Sequence, residues 1–167
     1  MTLLVLLLLL IVPFLLTRFA LRSRVGLDGT SIAFRVGLSM FFMFTGMGHF
    51  LKTEEMSLML GDAVPYPLLA VQVTGVLELL AAVGVWLPTW RQLTGYCLVA
   101  MMIAFLPVNI FAAIDRVPFG GHELGPVYLL VRVPFQLLVI WWVAKATAIK
   151  PLEWLRATGN EHKTVKV

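Results

Sequence analysis

Five polar side chains interrupt long apolar runs, and they are the residues best suited to chemistry in this chain. They are His49, Glu78, Asn109, Arg132 and Gln136. Burying an ionisable side chain among apolar residues in lipid is costly, so such residues usually bind ligands, carry protons or pair with one another. A guanidinium can hold a negatively charged group, and a buried carboxylate can exchange protons. These five residues are therefore the candidate site, with Glu78 and Arg132 as the candidates for catalysis.

Each of the five also has a structural explanation. His49 lies at the end of an apolar run and is equally typical of a side chain among lipid headgroups. Asn109 and Gln136 are common as hydrogen-bonding contacts between neighbouring helices. Glu78 and Arg132 are the most informative, because an unpaired charge at this depth costs several kcal/mol. We therefore expect these two to form an ion pair, whether structural or functional.

Five apolar runs must position these side chains, at residues 2–17, 32–51, 68–87, 93–114 and 125–144. A helix needs about 20 apolar residues to cross a bilayer. The chain is 60% hydrophobic and 13% charged, so lipid must be its main solvent. The predicted fold class is an all-α membrane protein. We expect the first run to be retained as a helix, because no basic residue precedes it and no small-residue cleavage site follows it.

Lysine and arginine are unevenly distributed over the ends of these runs, which predicts the orientation. With the loop after the first run placed inside, ten of the 13 basic residues fall inside. Lys52 and Arg116 fall outside, and Arg132 lies within a helix. The inner set is Arg18, Arg22, Arg24, Arg35, Arg91, Lys145, Lys150, Arg156, Lys163 and Lys166. We predict an N-terminus outside and a C-terminus inside.

Several classes of site are not indicated. The net charge of +4 comes from helix ends and the tail, and no stretch interleaves basic and aromatic residues as a nucleic-acid platform would. Cys97 is the only cysteine, which excludes an internal disulfide or dithiol pair. His122 and Glu123 follow two glycines and predict a flexible hairpin, since two such ligands are too few for a metal site. Any redox role would therefore need a bound cofactor or a partner protein.

The depth of the five polar residues predicts where they meet. With the orientation above, all five fall in the outer half of the bilayer or at its midplane. Arg132 and Gln136 are four residues apart and share one helix face. The expected result is one cluster that opens toward the outside, with no metal.

A short helix over residues 53–60 is expected to cover this cluster. Thr53 would be its N-cap, and Gly61 would end it. Met56, Met59 and Leu60 would then share the apolar face that lies over the mouth of the cluster. After the fifth run, a second amphipathic segment is expected in the inner headgroup layer, followed by a disordered tail.

Residues 31–147 resemble the DoxX family of small bacterial membrane proteins. The similar pieces, in order, are GMGHF at 46–50, VPYP at 64–67, GVLEL at 75–79, FLPVN at 105–109 and RVPFQ at 132–136. The resemblance implies a four-helix transmembrane bundle, to which the first helix is an addition. The chain then divides into 1–30 (first helix and basic inner loop), 31–147 (DoxX-like domain) and 148–167 (interfacial helix and tail).

The resemblance also implies a function and a location. DoxX proteins are linked to oxidoreductase complexes, including a subunit similar to thiosulfate:quinone oxidoreductase, and to oxidative-stress and thiol systems. They lie in the bacterial inner membrane. The chain is then expected to be a membrane subunit of a redox system whose pocket binds a quinone or a small anion. The alternative is a non-catalytic protein that binds a lipid or helps a partner protein to assemble.

The basic-residue bias predicts the outcome of a topology measurement. A reporter that is active only outside the inner membrane should be silent when fused at residue 167 and active when inserted in the loop 115–124. The physical reason is the ten-to-two excess of basic residues on the inner side, which resists translocation. The opposite activity pattern would discard the orientation and the outward-facing cluster together.

Overall fold

The computed structural model describes residues 2–21, 27–61 and 64–149, and these residues form helices and turns without a strand. The predicted all-helical fold is confirmed. The predicted interfacial segment and disordered tail, from residue 150 onward, lie outside the described residues. The helices are α1 (Thr2–Leu21), α2 (Leu27–Leu51), α3 (Thr53–Ser57), α4 (Pro67–Gly84), α5 (Arg91–Ile114), a 3₁₀ helix (His122–Tyr128) and α6 (Leu129–Thr147).

Within the described residues, five helical segments are long and apolar enough to cross a membrane. They are α1, α2, α4, α5 and the 3₁₀ helix together with α6. This confirms the number of apolar helices predicted from the sequence, and it fits a multi-pass membrane protein. The shortest, α4, is 18 residues long, which at about 1.5 Å per residue nearly matches a hydrocarbon core of roughly 30 Å.

The helix ends differ from the ends of the apolar runs because helix formation does not depend on apolarity. Helix α1 continues past Thr17 to Leu21, and α2 begins at Leu27 rather than Ile32. At the last span, Gly125 has a non-helical backbone, so regular α-helix begins only at Leu129.

The helices alternate in direction, which gathers particular ends on one side of the bundle. A Cβ on Gly84, at the end of α4, would meet Thr94 near the start of α5, and a Cβ on Gly95 would meet Thr147 at the end of α6. The opposite side collects the end of α2, the start of α4, the end of α5 and the start of α6. His49, Asn109 and Arg132 lie in this second half, and Glu78 and Gln136 lie near the middle of their spans.

Helix α1 shares the apolar core of the other helices. Leu10 is fully buried, and a Cβ on Gly37 of α2 would lie 2.5 Å from its carbonyl oxygen. Phe14 packs against Phe34 and Trp142, at ring-centroid distances of 4.7 and 5.2 Å. The Trp142 indole donates a hydrogen bond to the Phe34 carbonyl at 3.0 Å. This aromatic group ties α1, α2 and α6 together.

The short helix α3 corrects one detail of the sequence prediction. Lys52 is the N-cap and its side chain makes no capping bond, whereas Thr53 is already helical and donates its hydroxyl proton to the His49 carbonyl at 2.6 Å. The predicted Thr53 N-cap is therefore wrong, because α3 follows α2 almost without a break and the end of α2 competes for this hydroxyl. Helix α3 ends at Ser57, earlier than Leu60.

Helices α2 and α4 approach closely at two glycines, and this contact predicts a stability difference. A Cβ on Gly75 would lie 2.7 Å from His49 Cβ and 3.1 Å from the Gly46 carbonyl, whereas a Cβ on Gly48 would meet only Met56 Cε at 3.8 Å. Overpacking costs about 1–3 kcal/mol, whereas replacing either glycine by alanine gains about 1 kcal/mol in helix propensity.

Gly75→Ala should therefore unfold at a lower temperature than its matched control Gly48→Ala. Tryptophan fluorescence during heating in detergent measures both midpoints. Equal midpoints would mean that the helix contact relaxes without cost.

Candidate functional site

A cavity of about 260 Å³ lies between the helices, in the half of the bundle that holds the ends of α2 and α5. All five polar residues predicted from the sequence line it: His49, Glu78, Asn109, Arg132 and Gln136. The prediction that they form one cluster is confirmed, while their role in ligand binding stays a prediction. The volume is near the lower end of small-molecule pockets, which are roughly 300–1,000 Å³.

One wall of the cavity is an acid–base pair between α2 and α4. His49 Nε2 lies 3.5 Å from Glu78 Oε1, and the Glu78 side chain is only 3% exposed. The other ring nitrogen of His49, Nδ1, lies 3.0 Å from the Val71 carbonyl and 3.1 Å from Thr74 Oγ1. The imidazole is thus held on one side by the first half of α4 and presents its other nitrogen to the carboxyl group.

The second wall joins α5, the 3₁₀ helix and α6 through one amide. Asn109 Oδ1 accepts a hydrogen bond from Arg132 Nε at 3.2 Å and lies 3.1 Å from His122 Nε2. Asn109 Nδ2 donates to the Phe105 carbonyl at 2.6 Å, which fixes the orientation of the amide because a flip would place two oxygens in contact. His122 Nδ1 contacts the Phe119 carbonyl at 2.8 Å.

Several polar atoms of the residues that line the cavity lack a hydrogen-bond partner in the described part of the chain. Glu78 Oε2 and Gln136 Oε1 are buried without a hydrogen-bond partner among the described residues. Arg132 donates only from Nε to the described part of the chain, so its two terminal nitrogens are free of protein acceptors there. Gln136 Nε2 is already used, because it donates to the Met102 carbonyl.

The predicted ion pair between Glu78 and Arg132 is wrong. Among the described residues, no carboxylate lies within 4.0 Å of the Arg132 guanidinium, and Glu78 contacts His49 instead. The reason is which helices are neighbours: α4 packs along α2, and α6 packs along α5. Each charged group is therefore held by the helix beside its own, and the two face one another only across the cavity.

His122 was not identified as a site residue by the sequence. The predicted flexible hairpin is instead a 3₁₀ helix in which His122 is 3% exposed, and its ring packs on Tyr128 at a centroid distance of 4.8 Å. Gly121 has φ 105°, and a Cβ there would meet the Tyr128 ring. The only signal in the sequence was the glycine pair before the histidine, which allows a tight return of the chain over the end of α5.

The rest of the lining is apolar and includes the segment after α2. Met56, Met59 and Leu60 line the cavity, and α3 packs against α4 and α2; that this methionine-rich face covers the mouth of the cluster stays a prediction. Leu3 and Leu6 of α1 also contribute. Most of the remaining apolar lining comes from the bundle helices and includes Phe41, Phe44, Met102, Phe105, Phe135 and Val139.

The described ranges contain no set of side chains suited to bind a metal ion. There, no three His, Cys, Asp or Glu side chains come together as metal ligands would. Cys97 lies exposed on α5 and does not line the cavity. The chemistry on offer within these ranges is hydrogen bonding, charge stabilisation and proton exchange inside an apolar enclosure.

The fold and the site define a small all-helical protein, built for a membrane, with a partly enclosed polar cavity. Residues 38–147 match the family model described as "Domain of unknown function (DUF8561)". The match covers more than half of the chain, so the chain belongs to this family. It includes all five predicted site residues together with His122, and it leaves out α1. No curated protein and no solved structure matches the chain significantly.

The position of Asn109 between Arg132 and His122 predicts a large effect of its removal. Asn109→Ala leaves Arg132 Nε without its acceptor and removes the polar neighbour of His122 Nε2, and an unsatisfied polar group inside the bundle costs about 1–3 kcal/mol. Gln72→Ala, which truncates an exposed amide on α4, is the matched control. The Asn109 variant should unfold well below the wild type in detergent, and the Gln72 variant should not. An unchanged midpoint for Asn109→Ala would show that these hydrogen bonds do not stabilise the bundle.

Proposed function

We propose that the protein is a DoxX-like membrane subunit of a redox system and that its cavity binds the ring of a quinone. The bundle of α2, α4, α5 and α6 would be the DoxX-like core, with α1 as the additional helix. Electrons would come from a partner protein or a bound cofactor. The observation that carries the proposal is a set of buried polar atoms left over inside an apolar enclosure.

The leftover atoms include both donors and acceptors, as a quinone site requires. A quinone presents two carbonyl oxygens that only accept hydrogen bonds, and the terminal nitrogens of Arg132 only donate them. The reduced form presents hydroxyl groups that donate, and Glu78 Oε2 and Gln136 Oε1 can accept. A site that serves both forms of one molecule needs both kinds of group. A simple anion would use Arg132 alone and leave the two oxygens unsatisfied.

The apolar lining and the volume favour the same ligand. Phe41, Phe105 and Phe135 offer aromatic surface to a planar ring. A cavity of about 260 Å³ encloses a single ring rather than a whole two-chain lipid.

The orientation that we propose places the N-terminus outside the bacterial inner membrane and the C-terminus in the cytoplasm. Arg18 near the end of α1, Arg91 at the start of α5 and Lys145 near the end of α6 lie at the end of the bundle opposite the cavity. Positive charge favours the cytoplasmic side, so the cavity would open outward.

A second candidate is a non-catalytic protein that holds an anionic lipid headgroup or stabilises a partner protein. One observation favours it: the Arg132 guanidinium has no carboxylate partner in the described chain. A cation without a counter-ion inside an apolar bundle is costly in lipid, and a phosphate would neutralise it.

Analysis of co-purifying molecules tests the proposal. The full chain, purified from bacterial membranes in mild detergent, should carry a quinone detectable by mass spectrometry after solvent extraction. Arg132→Gln removes the charged donor, and losing hydrogen bonds from a charged group costs about 1.5–3 kcal/mol, so affinity for added short-chain quinone should fall about ten- to a hundredfold.

Arg91→Gln is the matched control, since Arg91 lies at the opposite end of the bundle, where its Nε donates to the Val85 carbonyl. This variant should retain the quinone. A phospholipid that co-purifies in place of the quinone and is lost in Arg132→Gln would favour the second candidate. If neither a quinone nor a phospholipid co-purifies in a stoichiometric amount, the idea that the cavity holds such a ligand is refuted.

A further inference from the structure

The geometry around His49 points to a second property of the cavity, which rests on the proposed function. We propose that His49 and Glu78 hold one proton between them and exchange it, through Glu78 Oε2, with the molecule bound in the cavity. The proposal assigns a role to His49, to Glu78 and to the backbone of α4 that orients the imidazole.

The tautomer of His49 follows from its neighbours. The Val71 carbonyl can only accept a hydrogen bond, so His49 Nδ1, at 3.0 Å, must carry a proton. The Thr74 hydroxyl has one proton and already lies 2.8 Å from the same carbonyl, so toward Nδ1 it acts as an acceptor. With Nδ1 protonated, Nε2 of the neutral ring is a bare acceptor that faces Glu78 Oε1.

The contact between Nε2 and Oε1 is then satisfied by one proton. Either Glu78 is protonated and donates to Nε2, or His49 is an imidazolium beside a carboxylate. Both arrangements leave the pair neutral overall. A carboxylate facing a neutral ring would instead place a lone negative charge on a side chain that is 3% exposed. The distance of 3.5 Å is long for a hydrogen bond, as catalytic contacts often are before a ligand tightens them.

Glu78 Oε2 supplies the connection from this pair to the cavity. It is buried and has no hydrogen-bond partner among the described residues, and Glu78 lines the cavity. When a hydroxyl of the bound molecule gives its proton to Oε2, one O–H bond breaks and another forms. If the shared proton was on Oε1, it moves to Nε2; if it was already on Nε2, nothing else moves.

Both starting arrangements reach the same end state, a neutral Glu78 carboxyl group beside a protonated His49. The bound molecule is left with one extra negative charge. Arg132 is the cation on the opposite wall of the cavity, and its terminal nitrogens stabilise that charge. No electron is transferred in this step.

Nitrogen NMR of the full chain with ¹⁵N-labelled histidine rings tests the proton-sharing pair without any ligand. His49→Gln assigns the His49 signals by their disappearance. Near neutral pH, Nδ1 should show a protonated-type shift, and Nε2 a shift between the protonated and unprotonated types. Glu78→Gln should move Nε2 fully to the unprotonated type, and Glu78→Asp, which shortens the carboxyl arm, should move it in the same direction.

The matched control is Glu55→Gln, which removes an exposed carboxylate that pairs with Lys52 and should leave His49 unchanged. An unprotonated Nδ1, or an Nε2 signal that ignores both Glu78 variants, would overturn the proton-sharing pair. Unfolding midpoints measured alongside identify any variant that fails to fold. If one Glu78 variant fails, the other shows whether the Nε2 signal depends on Glu78.

A short-chain hydroquinone tests the exchange with the ligand. From the intermediate Nε2 shift expected without ligand, it should move His49 Nε2 toward the protonated type in the wild type and leave it unmoved in Glu78→Gln. If quinone co-purifies but hydroquinone leaves His49 unchanged, the exchange step is wrong and the proposed function stands. If no quinone binds, the proposed function fails, and the ligand-free signals still decide whether the pair shares a proton.

Discussion

The Arg132 guanidinium lies inside an apolar helix bundle, and much of one half of the structure is arranged around its need for oxygen acceptors. Its Nε is bonded to Asn109, whose amide is fixed in turn by the Phe105 carbonyl. The same amide oxygen lies 3.1 Å from His122 Nε2, and His122 Nδ1 contacts the Phe119 carbonyl in the chain segment that joins α5 to α6. Arg132, Asn109 and His122 thus bring together the end of α5, the 3₁₀ helix and the start of α6.

The parts of this arrangement that could be predicted from the sequence are those that depend only on the free energy of placing polar groups in lipid. Apolar runs with few charges predict helices in lipid, and polar residues within them predict a cluster, because each is too costly to face lipid separately. His49, Glu78, Asn109, Arg132 and Gln136 were all found in this way. Depth along each helix followed from residue counting, since the rise per residue is fixed.

The pairing of these residues could not be predicted in the same way. Depth says nothing about which helices are neighbours around the bundle, and Glu78 and Arg132 proved to be separated by the cavity rather than joined across a contact. His122 was missed for a related reason. Its chain segment is rich in glycine, which is typical of an exposed turn, whereas the structure buries the His122 ring against Tyr128 and beside Asn109 Oδ1.

The glycines of α2 and α4 connect helix packing to the chemistry of the site. Small residues at a helix interface are explained by close packing, and a Cβ on Gly75 would indeed collide with His49 Cβ. That same closeness places the His49 ring beside Val71, Thr74 and Glu78 of α4. The close contact at Gly75 therefore serves both helix packing and the site. A wider spacing of the two helices would move the imidazole away from its acceptor and from its carboxyl partner at once.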